Sequence, residues 1–324
     1  MGRTAFVFPG QGSQRVGMGL DLAKQWPYLI DTYYAPADEL LGMPISTLCF
    51  EGPAEALADM RITQPAMLLT SVAALDVLRS HGAAPDAVAG HSLGEFAALV
   101  CAGVLDWKDA LRVVRVRGEL MASVTESVPG RMAAVLGLTL PQVEELCAQA
   151  AEETACVVEI ANHNDPTQVV VSGQVAGVDR LVQLVGTAGA DRVVVLRIGG
   201  PAHCSLMGRV APEFAAVLAE VEFCDPAVPL YSGTGGALVG SGTEAREFLQ
   251  AQLTGRVLWT DAVRHMSAAG VDRFVEVGQG KALGGLCTRI VPGVETLRTT
   301  DAQQMKTTVN ALVRAARAAS EGAA

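Results

Sequence analysis

The segment best placed to do chemistry is Gly90-His91-Ser92-Leu93-Gly94. It matches G-x-S-x-G, and it falls between a short apolar run at 87–90 and a helical pattern at about 95–102. A serine on such a strand–turn–helix junction is a candidate nucleophile, because the sharp turn holds its hydroxyl clear of the backbone. The two glycines permit the turn without side-chain clashes. The helix start beyond the serine supplies free amides and a partial positive charge close to a reacting oxygen. The competing reading is an ordinary Gly-Ser turn. The strand before it and the helix after it favour the nucleophile.

A serine nucleophile needs a base. Five histidines are available, at 81, 91, 163, 203 and 265. His91 adjoins the serine, and neighbours on an elbow point apart. His81 precedes Gly82 at a helix end and reads as a cap. His163 falls in a turn-rich stretch at 162–166, and His265 in mid-helix as surface or core filler. His203 follows Gly199-Gly200-Pro201-Ala202 and opens a helical pattern through Leu206-Met207. Its spacing suits a reach to a second strand's tip, so it is the candidate base. No acidic residue lies in 248–260, the segment expected to return near it. A backbone carbonyl or an amide side chain is then left to orient the imidazole.

Two glycine-rich loops invite a nucleotide reading that their spacing refuses. Gly10-Gln11-Gly12 follows an apolar strand, but Arg15 occupies the third glycine position of G-x-G-x-x-G. Gly278-Gln279-Gly280-Lys281 is followed by Ala282, and the upstream glycine of a P-loop is missing. Both read as strand-tip turns, the first able to offer a backbone N–H to an oxyanion. Arg115 and Arg117 fall on a helical stretch at 107–124, beside apolar Val113, Val114 and Val116. A semi-buried arginine there wants a carboxylate, which a substrate could supply.

The elements that carry these residues alternate strand and helix, the pattern of an α/β protein with a parallel sheet. Apolar strands are expected at 5–8, 87–90, 229–232 and 273–277. Helices are expected at 63–79, 95–102, 107–124, 244–253 and 259–269, the first with Pro65 near its start. The stretch 131–199 differs. It reads strand 132–138, helix 141–151, strands 157–161 and 168–171, helix 178–185 and strand 192–198, a βαββαβ order typical of a ferredoxin-like module. A discontinuous large domain, 1–128 and 199–324, with an insertion at 129–198 follows. The tail at 315–324 is expected to fray.

Composition sets the outer limits. The 324 residues are 50% hydrophobic and 18% charged, enough apolar material for a large core. A net charge of -10 argues against a global nucleic-acid-binding surface. Seven cysteines without C-x-x-C spacing suggest neither a disulfide framework nor a zinc site. No uncharged run makes an apolar membrane-spanning helix, and no targeting segment is evident. A cytoplasmic monomer without nucleic-acid or membrane partners is expected.

Six segments, in order, resemble the malonyl-CoA:acyl carrier protein transacylase family. They are Phe8-Pro9-Gly10-Gln11-Gly12-Ser13-Gln14, Thr63-Gln64-Pro65-Ala66, Gly90-His91-Ser92-Leu93-Gly94-Glu95-Phe96, Arg117-Gly118, His203-Cys204-Ser205-Leu206-Met207 and Glu276-Val277-Gly278-Gln279-Gly280. The family includes stand-alone enzymes of fatty acid synthesis and trans-acting acyltransferases of polyketide synthesis. The resemblance implies an α/β-hydrolase-like domain with a ferredoxin-like insertion. It implies ping-pong acyl transfer from a coenzyme A thioester, as substrate, through acyl-Ser92 to the phosphopantetheine thiol of an acyl carrier protein. His203 would be the base, and the amides of Gln11 and Leu93 the oxyanion hole. Arg117 would hold the malonyl carboxylate, and the main-chain carbonyl of Gln252 would orient the histidine. No metal and no permanently bound cofactor is implied. Ala202, before the histidine, is smaller than the residues usual there and leaves room for a C2-substituted malonyl group. Thr167 replaces a usual glycine, with no functional account. The competing readings are an editing hydrolase that releases acyl groups from carrier proteins, and a non-catalytic docking subunit. Because carrier proteins are acidic, a local cluster of arginines is expected at the mouth of the Ser92 cleft.

Overall fold

The computed structural model describes residues 2–196 and 200–321. Among the described residues ten strands form two sheets: β1 (Arg3–Phe8), β2 (Ala87–Gly90), β3 (Gly130–Leu136), β4 (Val158–Asp165), β5 (Gln168–Gln174), β6 (Arg192–Val195), β7 (Leu230–Tyr231), β8 (Leu238–Val239), β9 (Val271–Glu276) and β10 (Glu295–Arg298). The large sheet has the order β10-β9-β1-β2-β7-β8, parallel apart from the β7–β8 hairpin.

β1 shows why this sheet is central. Phe6 and Phe8 enter one apolar cluster and Ala5 and Val7 another, because successive side chains leave a strand on opposite faces. Both faces are covered, so the strand is apolar at every position from Ala5 to Phe8. Phe8 pairs with Gly90, so the loops leaving β1 and β2 emerge side by side at the carboxyl edge of the sheet. That edge is where open α/β sheets place their ligands.

The small sheet is antiparallel, in the order β4-β5-β3-β6. All four of its strands fall within 129–198, and the strands of the large sheet fall outside that interval. Ala133 and Val135 of β3 pack under the helices Leu140–Thr154 and Val175–Thr187. Met132 and Ala134, on the other face, join the core of the large unit. The two junctions of the insertion remain a proposal. The second, at 198/199, lies outside the described residues, as does the end of the strand expected at 192–198.

Four expectations change. The helix expected at 63–79 is Met60–Ser80, so Pro65 lies in its interior. The missing Pro65 N–H would leave the Arg61 carbonyl free, and Arg115 Nη1 donates to it at 2.9 Å. The polar stretch 162–166 is not a loop. β4 runs through Asp165 with two register shifts, and Pro166-Thr167 alone makes the turn. Its outer edge is paired to the large unit, with Val257 N donating to Ala161 O and His163 N to Val257 O, each at 2.8 Å. That pairing turns a polar segment into a strand. His203 does not open a helix. It sits in a left-handed conformation ahead of a short 3-10 turn, Ser205–Arg209. The tail expected to fray continues a helix, Ala302–Glu321, seated by buried Met305, Val309 and Leu312; residues 322–324 lie outside the described residues. No helix among the described residues is long and apolar enough to cross a membrane.

Gly94 carries the closest contact between β1 and the serine turn. A Cβ there would lie 2.0 Å from the Phe8 carbonyl oxygen, a backbone atom that cannot step aside. Gly94→Ala is therefore expected to destabilise the fold by about 2 kcal/mol or more, despite the roughly 1 kcal/mol helix-propensity gain. Urea unfolding measures it, and wild-type stability would contradict the close approach.

Candidate active site

Ser92 sits at the turn between β2 and the helix Gly94–Cys101 with φ of 52°. A non-glycine residue in that region is strained by about 1–3 kcal/mol. The turn survives because its flanks are glycine: a Cβ on Gly90 would lie 2.1 Å from the Gly94 carbonyl carbon. His203, also left-handed at 57°, meets Ser92 from the far side of the cleft. Ser92 Oγ lies 2.6 Å from His203 Nε2.

The other ring nitrogen fixes the tautomer. His203 Nδ1 lies 2.8 Å from the Gln252 carbonyl oxygen and 3.2 Å from that of Gly255. Carbonyls only accept, so Nδ1 carries the hydrogen and Nε2 is left to accept from the serine hydroxyl. Burial, and secondarily the positive charge of Arg117, bring the His203 pKa down to about 3. The imidazole is neutral at pH 7 and available as a base. No acid completes the set; a carbonyl does the orienting.

Arg117 is 1% exposed and lines the same cleft. Its Nη1 donates to Gln64 Oε1 at 2.9 Å and its Nη2 to Gln252 Oε1 at 3.0 Å, and the guanidinium lies over the Phe96 ring. Among the described residues, no carboxylate lies within ion-pair distance and its Nε–H has no partner. Burial lowers its pKa to about 10, so it stays charged. A buried cation with no anion in direct contact is costly, and this one opens on a cleft an anion could enter. Of the two candidate arginines on the helix Trp107–Ser127, Arg117 is the buried one; Arg115 pairs with Glu119.

The cleft holds about 410 Å3. Gln11, Ser13 and Gln14 bound it near the serine, and Met121, Met132, Ala134, Val170, Leu196 and Ala202 form an apolar side. Gly10 lets the β1 loop lie against the elbow, since a Cβ there would meet the His91 carbonyl oxygen at 2.5 Å. Among the described residues, neither the Gln11 nor the Leu93 amide has a hydrogen-bond partner. Ala202 is buried, with its N–H donated to Ser172 Oγ. No cluster of three or more potential metal ligands occurs among the described residues.

His91 turns away from the serine as expected, and its Nε2–H donates to Asn164 Oδ1 at 2.8 Å. His81 caps its helix, and His265 contacts the Gly236 carbonyl. His163 lies in β4, outside the cleft lining. Instead of an arginine cluster, cations of both kinds flank the cleft. Arg15 and Lys281 are exposed beside lining residues Gln14 and Ala282, and Arg289 reaches lining Gln168.

Two partners of this site went unread in the sequence. Gln64 was only part of a motif, yet it is fully buried against Arg117. Glu95 is the lone acid in an otherwise apolar helix, a signal that could have marked it. Gln252 does more than orient the histidine: its side chain also joins Arg117, Glu95 and the Ser92 carbonyl.

Comparisons with known proteins agree with this geometry. Residues 5–283 match the family described as "Acyl transferase domain". The malonyl CoA-acyl carrier protein transacylase of Escherichia coli (strain K12) is 43% identical over 292 residues, covering 90% of this chain and 94% of that protein. That of Bacillus subtilis (strain 168) is 37% identical over 312 residues, covering 96% and 98%. The acyl carrier protein S-malonyltransferase of Vibrio cholerae superposes with a TM-score of 0.89 at 41% identity, covering 94% of this chain and 99% of that one. A malonyl-transacylase solved in complex with its type II PKS acyl-carrier protein superposes at 0.90 and 38% identity, covering 95% and 99%.

Because the free-enzyme His203 is neutral down to about pH 3, acyl transfer at limiting substrate should not fall as the pH drops through 6.5. A single-turnover rate measured from about pH 5 to about pH 8 tests this, and a loss centred near the free-histidine value would contradict it. The matched residues, the relatives and the site geometry together establish that the chain belongs to the acyl transferase domain family, among the malonyl CoA-acyl carrier protein transacylases.

Proposed function

We propose that this protein transfers a malonyl-type acyl group from coenzyme A to the phosphopantetheine thiol of an acyl carrier protein, in fatty acid or polyketide synthesis. The observation that carries this reading is the buried Arg117 beside the Ser92–His203 pair, open to the cleft and with no carboxylate in direct contact among the described residues. Relatives bearing that activity in their names support it.

The reaction would run in two halves. Ser92 Oγ attacks the thioester carbonyl carbon as its proton passes to His203 Nε2. The oxyanion is held by the Gln11 and Leu93 amides, each such donor worth about 3–4 kcal/mol. The C–S bond breaks, and the coenzyme A sulfur leaves with the proton from Nε2. In the second half the carrier's thiol gives its proton to Nε2 and attacks the ester. Ser92 Oγ departs and recovers that proton. Throughout, Arg117 holds the free carboxylate, with Gln64 fixing its plane.

An editing hydrolase needs the same serine and histidine, but release of simple acyl chains has no use for a buried cation. A second substrate range has its own support: Ala202 contributes little volume to an apolar side that could take a C2 substituent. The exposed cations Arg15 and Lys281 support docking of an acidic carrier against a protein of net charge -10.

Mass spectrometry of the loaded enzyme tests these roles together, with malonyl-, methylmalonyl- and acetyl-CoA offered to wild type and to Arg117→Ala. Removing the cation should cost roughly 3–5 kcal/mol for carboxylated groups, about 10² to 5 × 10³ in preference. Wild-type loading of the methylmalonyl group is expected from Ala202. Unchanged selectivity in Arg117→Ala would refute the carboxylate role.

A further inference from the structure

The mechanism above leaves the buried Glu95 unused. Glu95 is 3% exposed and lies in the first turn of the helix that Ser92 precedes. Its Oε1 accepts from Ser232 Oγ at 2.7 Å, and its Oε2 accepts from Gln252 Nε2 at 2.6 Å. Gln252, itself fully buried, accepts from Arg117 through Oε1. One amide therefore spans the two buried charges, and its direction is fixed. Arg117 can only donate, so Oε1 must face it, and Nε2 must face Glu95. Ser232 Oγ already accepts from the amides of Thr234 and Gly235, which leaves its own hydrogen for Glu95. Both carboxylate oxygens thus meet donors, the pattern of an ionised group.

Arg117 is the charged group that acts on Glu95, from the helix Trp107–Ser127. The other elements packed on the Glu95 helix, namely β1, β2 and the helix Met60–Ser80, present it no charge. Ser232, Gly233 and Gln252 offer neutral donors, and His203 and His91 of the same site are held toward neutrality by burial.

We propose that Glu95 is a positioning residue, the standing counter-charge of Arg117 relayed through Gln252, and that it takes up a proton when an acyl group's carboxylate takes over Arg117. The proton comes from solvent and rests on Oε2. The Gln252 amide, released by Arg117, turns so that its Oε1 accepts from the new O–H. One buried cation would otherwise face two buried anions. Desolvation has already raised the Glu95 pKa to about 7, so the step is accessible at neutral pH. The sign follows. Above about pH 7 the incoming carboxylate must bring a proton with it, so affinity for malonyl-CoA falls as pH rises, whereas affinity for acetyl-CoA does not. This inference rests on Arg117 being the carboxylate site.

The test is calorimetric titration of the non-acylating Ser92→Ala protein with malonyl-CoA and with acetyl-CoA, at about pH 8 in two buffers of different ionisation heat. Malonyl-CoA should bind more tightly and take up a fraction of a proton, and acetyl-CoA should take up none. Adding Glu95→Gln, which keeps the shape and removes the charge, should abolish the uptake and tighten malonyl-CoA binding roughly tenfold. A purely structural Glu95 would leave the uptake intact or weaken both ligands alike, and either result overturns the proposal. Tighter malonyl-CoA binding without proton uptake overturns it as well and leaves the Arg117 reading standing. Equal binding of the two ligands sinks the Arg117 reading and this inference with it. The Ser92→Ala arms with Glu95 intact keep the proposal falsifiable even if the Glu95→Gln protein fails to fold.

Discussion

The site depends on the way a single residue, Gln252, divides its hydrogen bonds. Its main-chain carbonyl holds the His203 ring, and its side chain joins Arg117, Glu95 and the Ser92 carbonyl. Each bond contributes about 1 kcal/mol, but leaving any buried partner unsatisfied costs about 1–3 kcal/mol. The base, the anion site and the elbow are therefore set by one residue at the end of the helix Gly242–Gln252. A carbonyl replaces the usual acid as orienter of the base. It fixes the tautomer without adding negative charge, which suits a cavity that receives an anion.

Around that centre the scaffold holds two strained residues facing each other. Ser92 and His203 both have left-handed backbones, one following β2 of the large sheet and the other following the insertion. Their cost is sustained by contacts that admit no slack: Gly90 and Gly94 against backbone atoms, and Gly10 against the His91 carbonyl. The insertion closes the cleft from above. Alternate residues of β3 serve two purposes, Ala133 and Val135 building the small unit's own core and Met132 and Ala134 walling the cleft.

The elbow, the alternation of strand and helix and the βαββαβ order were legible because each has a local signature. Glycine spacing, period-two apolar runs and turn residues all act over a few positions. His203 was legible as a candidate by elimination among five histidines, although its left-handed conformation was not. Contacts decided far along the chain stayed hidden. The strand through Asn162 and His163 exists because Val257 pairs with it. Pro65 is tolerated within a helix because Arg115 answers the carbonyl it frees. Gln64 and Glu95 read as ordinary polar residues until Arg117 and Gln252, 53 and 157 positions away, are brought to them.

The central claim is that Ser92, activated by a neutral His203, carries the acyl group between two thiols. The most direct measurement is peptide mapping of the protein after malonyl-CoA, followed by addition of a phosphopantetheinylated acyl carrier protein. The account predicts a malonyl ester on the Ser92 peptide that disappears into the carrier faster than into water. A modification elsewhere, or discharge to water at the same rate with or without the carrier, would contradict it.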